Sequence, residues 1–286
     1  MSDYRSNWAD AMVVKPLINA AAHLLPVLGS AWAVAGEPVI DPPVLLLNFS
    51  SWMILDIYDK YKDTPSQQRP AKGIFYAWLG TFFAIAASAT YSCGWEVAVC
   101  IFRLLWLELL WPTPSIPTYT RKGGFKLMKL KAILGPGKSL FCGVLAGLMD
   151  TQASVVHTCM YYPQRCITGQ VSNRAMAYGA LYGFVRETVY DARDIVEDNQ
   201  NSVTTLPTTI GLGGTQVVLT LVTALGEILI SPRVQILPVV IRTVFTGGMM
   251  AFLLRHSREN HYASSLYCAV SLAPACWAQV SLASLL

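Results

Sequence analysis

The chain has 286 residues, 53% of them hydrophobic and only 13% charged, with a net charge of +4; soluble domains carry about twice that charged share. Mean hydropathy is +0.43, and 8 Trp, 13 Tyr and 10 Phe supply rings suited to a headgroup region. These values exclude a disordered chain, a coiled coil and an ordinary soluble enzyme, and they call for a polytopic helical membrane protein.

A spanning helix needs about 20 mostly apolar residues. Nine stretches qualify in chain order, at roughly 14–35, 42–58, 73–92, 95–112, 132–160, 174–191, 208–230, 236–254 and 262–284. Together they take up most of the sequence and leave short loops. Residues 1–286 therefore read as one all-α transmembrane domain, a bundle around a central apolar cavity. The first residues carry Asp3 and Asp10 and no compact basic region, which argues against a cleaved signal peptide. The 7 Cys form no CxxC and no Cys/His spacing, so neither a disulfide scaffold nor a zinc site is expected.

Charge placement orients the bundle. Lys60, Lys62, Arg69 and Lys72 follow the second span, and Arg121, Lys122, Lys126, Lys129 and Lys131 follow the fourth. Arg193 follows the sixth, and Arg255 and Arg258 the eighth. The alternate loops offer only Arg165, Arg174 and Arg233. By the positive-inside rule the even loops and the N-terminus face the cytoplasm.

The acids are the informative residues. Asp56, Asp59 and Asp63 close the second span, and Asp191, Asp194 and Asp198 close the sixth, with the same D-x-x-D-x-x-x-D spacing. Positions i, i+3 and i+7 of a helix fall within about 60° of one another, so each array presents three carboxylates on one face. Acids at a helix C-terminus oppose the macrodipole, so helix stability does not explain them. A solvated loop with incidental acids would have to produce the same spacing twice, on the same side of the membrane. Clustered carboxylates persist when a hard cation neutralises them, and all-oxygen ligands suit Mg²⁺. Arg69-Pro70-Ala71-Lys72-Gly73 follows the first array and Thr205-Leu206-Pro207-Thr208-Thr209-Ile210-Gly211 the second, as in a weak internal duplication. Two acidic helix ends ringed by Lys and Arg suit a Mg²⁺-bound diphosphate, and the apolar bundle beneath suits a hydrocarbon tail. The combination points to an isoprenyl diphosphate.

On these motifs the sequence resembles the UbiA superfamily of intramembrane prenyltransferases, which includes a membrane terpene cyclase branch. LDIYDKYKDTPSQQRPAKG (55–73) is similar to the family's first motif, with Leu55 in place of the expected Asn. RETVYDARDIVEDNQNSVTTLPTTIG (186–211) is similar to the second, and the basic stretch from Tyr119 to Lys138 to the segment between helices four and five. The resemblance implies a nine-helix UbiA-like bundle. It implies Mg²⁺ ligation by Asp56, Asp59, Asp63, Asp191, Asp194 and Asp198. It implies catalysis through Asp59, Asp63, Asp194 and Asp198, and diphosphate contacts from Lys60, Arg69, Lys138 and Arg193. Leu55 removes a polar group beside the first array.

Lesser signals read mostly as structural. Glu187 lies one turn before Asp191, as a cavity-facing base or as the partner of an arginine such as Arg186. Asn48 lies on the Asp face roughly 12 Å deeper than Asp56; it matches a glycosylation sequon, but inside a span, where no glycan is expected. Arg103, Glu108, Glu227 and Arg242 lie in or near spans and read as paired interior groups. His157, His256 and His261 have no acid or nucleophile at diagnostic spacing. Tyr58, Tyr119, Tyr182 and Tyr190 read as interface anchors before cation-stabilising rings.

Three functions compete. A prenyltransferase ionises an allylic diphosphate and passes the prenyl group to a small-molecule acceptor. A terpene cyclase quenches the same cation, from a substrate such as farnesyl diphosphate, within its own chain. A cation transporter would carry its acids near the midplane, not at one face. The expected partners are the isoprenyl diphosphate, the bilayer and an acceptor, with no nucleic acid. Transfer is the preferred reading; Leu55, and a first span that opens on Lys15-Pro16 without an arginine for an acidic acceptor, point toward cyclisation.

Overall fold

The computed structural model describes residues 10–64, 66, 69–110, 113–120, 124–167, 169–200 and 203–230, with helical residues at 236, 237, 239–241, 243, 244, 248 and 252. After a π-helical turn at Asp10–Val14, the long helices are α1 (Lys15–Ala35), α2 (Pro42–Asp63), α3 (Lys72–Cys93) and α4 (Trp95–Leu109). A β-hairpin follows, β1 (Pro114–Thr120) and β2 (Gly124–Lys129), then the short α5 (Leu130–Ile133). The chain continues through α6 (Lys138–Tyr161), the short α7 (Pro163–Cys166), α8 (Gln170–Arg193), the short α9 (Ile195–Gln200) and α10 (Leu206–Ile230). The seven long helices match the first seven expected spans. The helical residues from 236 to 252 fall in the eighth, and the ninth, at 262–284, lies outside the described residues.

Local sequence sets the helix ends. Pro16 sits in the first turn of α1, and Pro42 and Pro43 in that of α2, where a missing N–H costs nothing. α1 ends at Gly36, whose φ of 75° turns its N–H onto the Trp32 carbonyl at 2.8 Å. α10 is broken one turn in by Gly211 (φ 71°, ψ 173°), a conformation that disfavours any residue with a Cβ.

Among the described residues four helices are long and apolar enough to cross a membrane, Met12–Ala35, Lys72–Cys93, Gly135–Tyr161 and Leu206–Ile228. On α10 the exposed face is Val217, Leu221, Leu225 and Ile228, while Thr223 and Glu227 are buried. Apolar residues outward and polar residues inward are the pattern of a helix solvated by lipid. This is an integral membrane protein. α1 packs on α2, α6 and α8; α2 packs on α3 and α4; α8 packs on α10.

The α6–α8 interface is the most extensive of these and sets the site. Gly143 and Gly147 of α6 face Gly179 and Gly183 of α8. A Cβ at Gly147 would run into the Gly179 carbonyl, and one at Gly183 into the Gly143 carbonyl. Small residues four apart let the two backbones touch, as dispersion packing in a membrane favours.

α2 and α6 run in opposite directions, which defines two ends of the bundle. At one end Asp41 pairs with His157, Tyr162 donates to Glu37 at 2.9 Å, and Cys159 is bonded to Cys166. The disulfide corrects the expectation of none. Tyr162-Pro163 ends α6 and α7 folds back, bringing the two Cα atoms to 5.8 Å, which spacing alone does not reveal. The acidic arrays lie at the other end. The hairpin forms part of the basic stretch between spans four and five, a pair of strands that the all-α reading did not include. Tyr119 pairs Phe125 and Thr120 pairs Gly124 across its antiparallel ladder. The Tyr58 hydroxyl lies 3.3 Å from that of Thr113, tying the start of the hairpin to the acidic end of α2.

Candidate active site

The first array occupies the last two turns of α2 and the second spans the end of α8, the turn at Asp194 and α9. Two hydrogen bonds through α1 join them. Asn19 donates to Asp56 at 2.6 Å, and Tyr190, next to Asp191, donates to Asn19 at 2.9 Å. The positive field at Asp194 comes from Arg193, Lys60 of α2 and Lys138 of α6, so the two arrays share one electrostatic site. Burial pushes the Asp194 carboxyl up, but the Arg193 hydrogen bonds and these cations outweigh it and hold the group below the usual carboxylate range.

Asp56 and Asp191 are engaged by protein donors: Asp56 by Asn19, and Asp191 by Lys138 at 2.6 Å and by the Ser139 hydroxyl. Asp59 lies one turn further along α2, and Asp194 and Asp198 follow the end of α8. Asp194 is held by both Arg193 bonds, each 2.6 Å. The side chain of Asp63 lies outside the described residues. Lys138 also feels Asp198 and Glu187. Arg69 donates to the Thr64 carbonyl at 2.7 Å and the Lys62 carbonyl at 3.0 Å, and its guanidinium lies 5.2 Å from the Tyr61 ring centroid. It thereby caps the C-terminus of α2, a place that favours a cation. Lys60, Lys138 and Arg193 are the cations that stand among the carboxylates.

The donor set fits Mg²⁺. Six carboxylates outnumber the cations among them, and a hard divalent ion offsets that excess. Among the described residues no three His, Cys, Asp or Glu side chains gather tightly enough to hold a metal unaided. Mg²⁺ held by one or two carboxylates and completed by substrate phosphates needs no such cage.

Below the arrays lies a buried polar layer. Asp150 of α6 accepts from Trp52 at 2.7 Å and Asn48 at 3.3 Å, both on α2, and lies 2.5 Å from Nδ1 of His23 on α1. Arg186 of α8 reaches the same His23 nitrogen at 3.2 Å, pairs with Glu187, and lies over the rings of Trp52 and Tyr190, 5.2 Å from each centroid.

The family model for VviA prenyltransferase matches residues 6–282. The chain belongs to that family. Two solved structures share its fold. The digeranylgeranylglyceryl phosphate synthase studied in membranes is 16% identical, with 98% of each chain covered and a TM-score of 0.58. A UbiA homologue from Aeropyrum pernix K1, in its apo form, is 12% identical, covering 94% of this chain and 99% of that one at a TM-score of 0.55. The fold is shared with that UbiA homologue. No curated protein matches the chain.

In this VviA prenyltransferase several sequence expectations meet their partners. Glu187 pairs with Arg186, Arg103 donates to Gln152 at 2.6 Å, and His157 pairs with Asp41. Glu227 is buried and accepts from Tyr178, whose ring stacks on Tyr182. The Glu108 side chain, Arg242, His256 and His261 lie outside the described residues. Asn48 is fully buried against Asp150, away from any glycosylation machinery. Asp150, His23 and Asn19 were not legible as site residues. Asp150 carried one signal, an acid alone in the apolar run from Leu145 to Val156, and an intramembrane acid marks function by default.

Proposed function

We propose that this prenyltransferase is Mg²⁺-dependent and ionises an allylic isoprenyl diphosphate at the paired arrays, passing the prenyl group to a small-molecule acceptor. The observation that carries the reading is the joining of the two arrays through Asn19 and Tyr190, with Lys60 and Lys138 among them. Asp59, Asp63, Asp194 and Asp198 would hold the metal; Asp56 and Asp191, engaged by Asn19, Lys138 and Ser139, would brace the helix ends behind them. Bound Mg²⁺ neutralises the charge that grows on the departing diphosphate. Lys60, Lys138 and Arg193 add fixed positive charge at the same place, strongest where charge develops on bond breaking. The prenyl tail extends from the arrays into the apolar interior of the bundle.

The acidic end faces the cytoplasm in this reading. Two observations support it: the basic loops sit at that end, and the Cys159–Cys166 disulfide sits at the opposite one, where an oxidising compartment would keep it.

Cyclisation is the second reading, favoured by two residues. Leu55 is buried in the apolar core where the family's first motif has a polar group. α1 carries only Lys15 and His23 as basic residues, so it offers no arginine to an acidic acceptor. Incubating membranes with C10, C15 and C20 prenyl diphosphates and Mg²⁺, without acceptor, separates the readings. Slow release of linear alcohols supports transfer, a cyclic hydrocarbon supports cyclisation, and no diphosphate release from any of the three overturns both.

A further inference from the structure

We propose that the β1–β2 hairpin is a membrane-surface anchor, whose exposed apolar face seats among anionic phospholipid headgroups of the leaflet at the array end of the bundle. The register fixes its two faces. Pro117 pairs Leu127 and Tyr119 pairs Phe125, so these four side chains share one face. Ile116, Thr118, Lys126 and Met128 take the other. Tyr119 is 68% exposed, Phe125 81% and Leu127 56%, and Pro117 is exposed with them. Ile116, Thr118 and Met128 on the opposite face are half-buried. The Tyr119 and Phe125 rings meet edge to face with centroids 5.5 Å apart, so the exposed face carries a continuous aromatic patch. A hairpin placed only to connect two spans through water would turn such a face inward.

The membrane surface is within reach. β1 starts at Pro114, shortly after α4 ends at Leu109, and β2 leads through α5 into α6 at Lys138. The Tyr58–Thr113 hydroxyl contact holds the base of the hairpin beside the last turns of α2. Both strands pack on α5. A strand of this length spans about 20 Å. Standing upright, the hairpin would carry Tyr119 and Phe125, which lie next to its turn, about that far into water. Lying along the bilayer, it brings both rings to the headgroup level, where aromatic side chains are stabilised.

Charge selects the lipid. From Leu109 to Met149 the sequence holds no Asp or Glu, while it holds Arg121, Lys122, Lys126, Lys129, Lys131 and Lys138. Lys138 is taken up by Asp191. The others flank the aromatic pair in sequence. Lys129 continues the Phe125–Leu127 face, and Lys126, next to Phe125, is exposed. Rings with cations beside them and no acid nearby complement a leaflet of anionic headgroups: the rings enter the headgroup boundary and the ammonium groups meet the phosphates. A neutral leaflet would cover the rings and leave the cations without a counter-charge. A second copy would present the same cations, and like charges repel.

The test uses the full chain in nanodiscs of phosphatidylcholine, alone or mixed with phosphatidylglycerol. Phe125, an exposed side chain that little packing holds, is replaced by photoreactive benzoylphenylalanine. After illumination, mass spectrometry identifies what the ring has joined. The proposal expects lipid adducts in which phosphatidylglycerol is enriched at least about twofold over its share of the disc. That enrichment should fall to the disc share when Lys126→Gln and Lys129→Gln are combined, and at high salt. Adducts to the loops that carry the arrays would make the hairpin a lid, and adducts to a second copy would make it an oligomer contact; either result overturns the proposal. Lipid adducts without preference for phosphatidylglycerol overturn it as well, and so does the absence of adducts in both discs. Unsubstituted wild type gives an independent reading. Amide exchange across Pro114–Lys129 should be at least about threefold slower in the mixed discs than in phosphatidylcholine alone, and equal exchange contradicts the proposal.

Discussion

Gly147→Ala puts a methyl group against the Gly179 carbonyl of α8, and Gly183→Ala puts one against the Gly143 carbonyl of α6. Neither neighbour is a flexible side chain that can swing away. The helices must part by on the order of 1 Å to restore ordinary carbon–oxygen spacing. A gap of about 0.5–1 Å forfeits roughly a quarter to a half of the dispersion energy across a packed face. Overpacking of this kind costs about 1–3 kcal/mol per methyl group. The consequence reaches the site, because the same two helices hold Lys138 against Asp191 at 2.6 Å. A parting of about 1 Å takes that bond beyond hydrogen-bond range. Thermal unfolding in detergent and the initial rate of diphosphate release measure both effects. Each variant should melt a few degrees below wild type and turn over more slowly. Gly80→Ala on the exposed face of α3, where a Cβ meets nothing within 4 Å, is the control and should melt at or slightly above wild type. If Gly147→Ala melts with Gly80→Ala and keeps the wild-type rate, the close α6–α8 approach does not set the site.

Chelation by EDTA should abolish turnover and added Mg²⁺ restore it, since carboxylates alone repel a diphosphate; full activity in chelator contradicts the metal role. Asp191→Asn should weaken the hold on Lys138 and lower the rate by less than loss of an outer carboxylate does; a rate as low as that of Asp194→Ala would make Asp191 a ligand instead. Thiol labelling of sealed, correctly oriented membranes should leave Cys159 and Cys166 unmodified until a reductant is added, and then label them from the non-cytoplasmic side. Labelling from the cytoplasmic side reverses the proposed orientation.

The sequence shows most clearly what repeats or persists along the chain. The long helices were legible as stretches rich in apolar residues, four of them sustained apolar runs, and the arrays because i, i+3, i+7 spacing fixes a helix face. α2 outlasts its apolar run, reaching Asp63 where hydropathy stops near residue 58. The backbone stays helical through charged residues whose face turns inward. The hairpin was hidden because Pro114 and Pro117 break the alternation and its side chains are largely exposed. The disulfide depends on the turn at Pro163, and Arg69 on a helix end whose position hydropathy misjudged. The His23–Asp150 layer draws one or two residues from each of four helices, so no local pattern announces it. Only the cost of one acid in an apolar run does so.

The most direct measurement is the initial rate of diphosphate release against farnesyl diphosphate concentration for Asp59→Ala, Asp63→Ala, Asp194→Ala and Asp198→Ala, with folding checked in each. The departing diphosphate gains charge on ionisation, so groups that hold the metal bind the transition state more tightly than the ground state. The account predicts losses of several orders of magnitude in kcat, with smaller changes in KM. Near-normal kcat in all four variants would contradict it, because the paired arrays would then not be where the diphosphate departs.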